Sequence, residues 1–166
     1  NSNISLNSFT MNTNGGVFRA NGKTIYVSKN WTVNTNKYSG FVHQNGTVTF
    51  NGTSAQSINT INGKSDFYNV TISNTSGNAV SLSKQIDVKN TLTIDNNATI
   101  DIDGKNIEIS TLVNNGNFQL EGGETVSIST MDTDSGTVTY DGTGANTELE
   151  VGDSYYNLTL NKSAGS

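Results

Sequence analysis

The stretch Gly46-Thr47-Val48-Thr49-Phe50-Asn51-Gly52-Thr53, continued by Phe67-Tyr68-Asn69-Val70-Thr71-Ile72, occurs twice in the chain. Its second copy is Gly136-Thr137-Val138-Thr139-Tyr140-Asp141-Gly142-Thr143, continued by Tyr155-Tyr156-Asn157-Leu158-Thr159-Leu160. The leading halves are offset by 90 positions (46 to 136) and the trailing halves by 88 (67 to 155). Changes between the cores swap like for like: Phe50 for Tyr140, Asn51 for Asp141, Val70 for Leu158. Self-similarity at such a long period is the mark of stacked units, each burying its apolar face on the next. The whole of 1–166 therefore reads as a single repetitive domain, with the internal repeat at 46–77 and 136–165.

Alternation supplies the secondary structure. Ile4/Leu6, Ile25/Val27, Trp31/Val33, Val48/Phe50 and Val70/Ile72 are apolar pairs separated by one polar residue. Val80/Leu82, Ile86/Val88, Leu92/Ile94, Ile100/Ile102 and Ile107/Ile109 follow one another every six to eight residues. That period of two is a strand with one face buried. No window carries the i, i+3, i+4, i+7 spacing of an amphipathic helix. Asn-Gly and Gly-Gly pairs at Asn14-Gly15-Gly16, Asn21-Gly22, Asn45-Gly46 and Asn62-Gly63 mark turns. The chain has no proline, so nothing in it deletes a donor from a hydrogen-bond ladder.

The strands are too short, too many and too evenly spaced for hairpins. A parallel β-solenoid accommodates them: about three strands per coil of roughly 20–24 residues, each pairing with its equivalent one coil away at roughly 4.8 Å. About seven such coils make a stub roughly 35 Å tall. This architecture also accounts for a hydrophobic content of only 32%. A narrow core column takes two apolar residues per strand, and Thr, stiff at its branched Cβ, can fill the outer face. Stacked Asn side chains at the corners can hydrogen-bond along the axis. On this frame Val48 points inward and Thr49 outward.

With those residues in view, the chain resembles the repeat segments of large secreted bacterial surface proteins. Such repeats run approximately W-T-N, G-x-F, G-T-V-x-F-N-G, a Q-x-I strand, F-x-N-L-T-I and L-T-V. The counterparts are Asn30-Trp31-Thr32, Gly40-Phe41, Gly46 to Gly52, Gln56-Ser57-Ile58, Phe67 to Ile72 and Leu92-Thr93-Ile94. The resemblance implies a right-handed parallel β-helix in an adhesin-like protein at the bacterial cell surface, acting as a rigid spacer or display scaffold rather than as an enzyme. The second copy departs from it: the Trp31 equivalent is missing near Val113-Asn114-Asn115, and Asn146 replaces Gln56.

Sites are sparse. There is no cysteine, hence no thiolate metal centre or disulfide. The net charge of −5 disfavours nucleic acid, and no apolar run is long enough for a spanning helix. Asp95-Asn96-Asn97, Asp101-Ile102-Asp103-Gly104 and Asp132-Thr133-Asp134 are the calcium candidates. They lack the EF-hand and calcium β-roll spacings, and we read them as solvated turn carboxylates. His43 and Arg19 are the sole His and Arg, and no paired carboxylates are placed by sequence for catalysis. No metal or other cofactor is expected. Thr-x-Thr at Thr47/Thr49, Thr91/Thr93 and Thr137/Thr139 raises an ice-binding array, but the spacing predicts the motif only in every second coil, and β-propensity alone accounts for it. Tyr26, Tyr38, Tyr68 and Tyr156 could stack on sugar rings, but core or corner packing is the ordinary use of such residues.

Two alternatives therefore stand beside the scaffold: a carbohydrate-binding or polysaccharide-degrading module, and a self-assembling filament or matrix subunit. After Leu160 the second copy lacks the strands that follow Ile72 in the first. The expected partners are accordingly neighbouring domains or copies stacked end to end on Leu158 and Leu160, with the chain a segment of a larger protein; Gly165 matches Gly77.

Overall fold

The computed structural model describes residues 3–12, 16–34, 40–60, 65–143 and 149–162. Tyr38, Ile61, the Asn14-Gly15 and Asn62-Gly63 turn positions, Asn146 and Gly165 lie outside the described residues. The fold is an all-β parallel solenoid of about seven turns. Strands β1 (Ile4–Leu6), β2 (Phe9–Met11) and β3 (Phe18–Arg19) make the first coil. Strands β4 (Thr24–Val27), β5 (Trp31–Val33) and β6 (Phe41–Val42) make the second. The third holds β7 (Thr47–Phe50), β8 (Gln56–Thr60) and the start of β9 (Ser65–Ile72). Then follow β10 (Val80–Leu82), β11 (Ile86–Ile94), β12 (Thr99–Asp101), β13 (Ile107–Asn114), β14 (Asn117–Leu120), β15 (Val126–Met131), β16 (Thr137–Tyr140) and β17 (Asn157–Leu160).

Three faces result. One sheet runs β1-β4-β7-β9-β11-β13-β15 and a second runs β2-β5-β8-β10-β12-β14-β16-β17. The third face begins with the β3–β6 pair and continues in the leading segments of β9, β11, β13 and β15, where Phe67, Val88, Ile109 and Ile128 stand in register. Among the described residues every pairing is parallel. Down the first face Ile4 is partnered by Ile25, then Val48, Val70, Leu92, Leu112 and Met131 in turn, at intervals of 19 to 23 residues. Strands β9, β11, β13 and β15 each run on from the third face to the first. In β11 the corner carries a bulge: Lys89 and Asn90 together oppose Tyr68 of β9 and Ser110 of β13.

The alternation read from sequence is the in/out alternation of the strands. Val48, Val70 and Leu92 are buried, while Thr47, Thr71 and Thr93 are partly exposed. Thr49 is a correction. It points outward as expected, yet it is only 7% exposed, because it stands between Tyr26 and Thr71 on the neighbouring coils. The core is one continuous column whose chemistry changes along the axis. The first coils are aromatic: Phe9 stacks on Trp31 at 4.0 Å, and Trp31 meets Phe41 at 4.8 Å and Phe67 at 5.5 Å. The middle is aliphatic, built from Val70, Ile72, Leu92, Ile94, Ile100 and Ile107. Full burial of each such side chain contributes about 1.5–3 kcal/mol.

The corners are shaped by small residues. A side chain at Gly116 would meet the Ala98 carbonyl oxygen at 2.3 Å, and one at Gly136 (φ 71°) the Asn114 carbonyl oxygen at 2.1 Å. Both contacts are impossible for a real Cβ, so only glycine lets successive coils close on each other there.

The two copies of the internal repeat do not occupy the same face. In the first copy Thr47 to Phe50 pair with Asn69 to Ile72 in the first sheet. In the second copy Thr137 to Tyr140 pair with Asn157 to Leu160 in the second sheet. The pairing is the same in both: Thr opposite Asn, and apolar positions opposite each other.

Candidate functional site

The acidic turns spend their carboxylates on neighbouring groups of the protein. The Asp101 carboxylate accepts the Asp103 amide at 2.8 Å and so closes its own turn, with Asp103 (φ 50°) and Gly104 (φ 67°) in the left-handed region. Burial pushes the Asp101 carboxyl above its ordinary value, against the lowering effect of that amide, with Asp141, Asp103 and Glu121 adding repulsion. Asp95 accepts the Ser73 hydroxyl. Asp132 accepts the Asn114 amide at 2.9 Å, and Asp134 the Ser135 hydroxyl at 3.3 Å. Among the described residues no three acidic, His or Cys side chains gather as a metal cage would require.

The aromatic candidates fall on separate parts of the surface. Tyr26 lies on the first sheet, and Tyr68 on the corner leading into it. Tyr156 precedes β17 and is 61% exposed. Among the described residues, the one aromatic neighbour brought to any of them is His43, whose ring lies 5.5 Å from that of Tyr68 in a stacked arrangement. Its Nδ1 accepts the Asn45 amide at 3.3 Å, which places His43 in the turn rather than beside a carboxylate. Arg19 is exposed on β3, one coil before Val42. Thr47/Thr49 and Thr91/Thr93 share the first sheet, whereas Thr137/Thr139 lies on the second.

Sequence reasoning missed three polar arrangements. Gln56 is buried at the corner after β7 and fully engaged. Its Oε1 accepts Gly52 N and Asn74 Nδ2, both at 2.8 Å, and its Nε2 donates to the carbonyls of Val27 at 2.9 Å and Lys29 at 2.6 Å. Three successive coils are thereby clipped by one amide, the physical reason for a Gln at the head of the Q-x-I strand. Glu124 instead closes its own turn with a carboxylate, receiving the amides of Glu121, Gly122 and Gly123 at 2.8, 2.6 and 2.7 Å. On the third face Asp66, Asp87 and Glu108 stand in register on successive coils. The Asp87 side chain is fully buried and is held by Lys89 at 2.7 Å, as a buried carboxylate requires. The spacing of these acids could be read only once the coil length was known.

Asn ladders do run along the axis. Asn90 Nδ2 donates to Asn69 Oδ1 at 2.8 Å, and Asn69 Nδ2 to Thr47 Oγ1 at 3.3 Å. Near the second copy, Asn97, Asn115, Asn117, Thr137 and Asn157 line a shallow cleft of about 340 Å³ on successive coils. Its amides are partly spent on the protein: Asn117 Oδ1 accepts the Thr139 hydroxyl at 2.8 Å, and Asn157 Nδ2 donates to Gly136 O at 2.9 Å.

At the far end, Leu158 and Leu160 are in register with the core residues Val138 and Tyr140, yet they are 40% and 61% exposed. Nearby, Tyr155 approaches the Tyr140 hydroxyl at 3.4 Å, and burial together with that contact pushes its phenol well above the usual range. No protein-family model, no curated protein and no solved structure matches the chain.

Proposed function

We propose that the chain is a structural segment of a secreted bacterial cell-surface protein, a stiff spacer or display scaffold that performs no catalysis. The observation supporting this is the continuous register itself. In-register parallel ladders run along a filled core column, and the buried amide of Gln56 ties neighbouring coils together. Such a rod resists bending because any bend breaks several ladders at once. The partners that suit it are neighbouring domains or further copies stacked on the end strand, where Leu158 and Leu160 offer an apolar row aligned with the core. Nucleic acid and membrane insertion play no part in this reading. Immunolabelling of intact cells of the producing organism tests it: signal on unpermeabilised cells is expected, and signal only after lysis would overturn the surface assignment.

One observation favours a second reading, a glycan-binding module. The amide-lined cleft along Asn97, Asn117 and Asn157 offers neutral donors and acceptors of the kind that recognise sugar hydroxyls. A glycan array with the purified chain separates the two, since a spacer leaves every spot blank. Concentrated protein viewed by electron microscopy tests the third reading, a filament subunit.

A further inference from the structure

Going beyond the scaffold reading, the outer surface of the first sheet carries a hydroxyl lattice that the sequence spacing concealed. The coil between the two Thr-x-Thr motifs supplies Asn69 and Thr71, so Thr47/Thr49, Asn69/Thr71 and Thr91/Thr93 stand on three consecutive coils in direct register. The inner column of this lattice extends in both directions, to Thr24 before Thr47 and to Thr111 after Thr91. The intervening coil thus carries Asn-x-Thr in place of Thr-x-Thr, and the threonine column Thr49, Thr71 and Thr93 runs through all three coils. Neither column contains a charged residue from Thr24 to Val113.

The spacings of such a lattice are set by the fold. Hydroxyls on adjacent coils lie about 4.8 Å apart, and those two residues apart on one strand about 6.6 Å. One water making hydrogen bonds of about 2.8 Å to two hydroxyls 4.8 Å apart subtends roughly 118°, close to the tetrahedral angle of water in ice. The Thr71–Thr93 and Thr91–Thr111 rungs can therefore each hold a bridging water in an ice-like orientation. The branched Thr side chain is stiff at χ1, so little freedom is lost when it does so. The methyl groups between the hydroxyls leave the intervening water to bond with other water. Charged side chains would instead orient it around themselves.

We infer that this face binds crystalline water through Thr71, Thr91 and Thr93, with Thr47 and Thr111 extending the contact. Thr49 is too enclosed to take part, and Asn69 occupies its rung by bonding Thr47 directly.

The test is ice-recrystallisation inhibition and ice-affinity partitioning of the whole chain, with circular dichroism to verify the fold of each variant. The wild type should partition into ice and slow recrystallisation. Thr71→Lys and Thr93→Lys should lose most of that effect while melting as the wild type does. Thr32→Lys, on the outer side of the second sheet, should retain it. A wild type indistinguishable from a non-binding control protein would overturn the inference, leaving the threonines to β-propensity. So would an equal loss in Thr32→Lys and Thr71→Lys, which would point to the whole surface rather than this lattice.

Discussion

Leucine-to-alanine at two positions separates the core column from its uncovered end. Leu92 is fully buried, with Val70 on the coil before it and Leu112 on the coil after it. Cutting its isobutyl group back to a methyl leaves a void with packed neighbours on both sides along the axis. A parallel ladder fixes the coil spacing, so the void cannot close by sliding one coil onto the next. That puts Leu92→Ala toward the upper part of the range for buried leucines, about 3–5 kcal/mol. Leu160 occupies the same kind of inward position over Tyr140 but is 61% exposed, so Leu160→Ala forfeits only a fraction of a transfer term, about 1 kcal/mol or less. Urea unfolding followed by far-ultraviolet circular dichroism and by the fluorescence of Trp31, the sole and fully buried tryptophan, measures both. Solenoids can unfold in segments, so the two probes must coincide before a free energy is assigned. Equal losses for Leu92→Ala and Leu160→Ala would refute the assignment of Leu92 to a closed column and of Leu160 to its open end.

Val48→Asp should destabilise the fold by several kcal/mol, since it puts a carboxylate into a column with no cation, whereas Thr93→Asp on the outer side should cost far less. The enclosed Thr49 should fall between them when the three melting temperatures are compared. Excess EDTA should leave the melting temperature nearly unchanged; a drop of more than about 10 °C would show that a cation at Asp101, Asp103, Asp132 or Asp134 holds the fold. The raised pKa of Asp101 means that its charged form is disfavoured in the folded chain, so its contribution to stability is present below the ordinary value of 3.8 and is lost as pH rises through the folded value. Asp101→Asn, which can still accept the Asp103 amide, should therefore stabilise the protein at neutral pH. That advantage should vanish as pH falls below 3.8; an advantage independent of pH would remove the electrostatic explanation.

Much of the frame was legible because a solenoid writes its register into the sequence. The apolar pairs at Val48/Phe50, Val70/Ile72 and Leu92/Ile94 gave strands, inward faces and a coil length near the observed one. What alternation cannot report is the covering of an outward position by its neighbours on adjacent coils. Thr49 is enclosed although its own strand reads as an outer-face threonine, and Asp87 is buried although it sits between Ile86 and Val88 as a polar alternate should. Both depend on residues some 20 positions away, Tyr26 for Thr49 and Asp66 and Glu108 for Asp87, whose identity matters only after register is known. Gln56 was visible as part of a motif, but its hydrogen bonds reach back to Val27 and Lys29 and forward to Asn74 on the adjoining coils, and no local pattern announces them.

The duplicated stretch carries the same lesson to the level of architecture. Its two copies repeat the pairing of Thr with Asn and of apolar with apolar, yet one copy lies on the first sheet and the other on the second. The sequence unit therefore encodes a strand and the strand that stacks on it, not a position around the coil. Nothing in parallel pairing prevents this, because each face asks for the same thing: an alternating strand with its inner residues aligned to those of the coil before. Faces become distinct only through what decorates their outer sides. The first acquired an uncharged threonine lattice between Thr47 and Thr111, the second carries Asp101 and Gln119 in register, and the third holds Asp66, Asp87 and Glu108 with Lys89. In a fold whose interior is the same on every side, differences of function can reside only in those outer columns and at the ends.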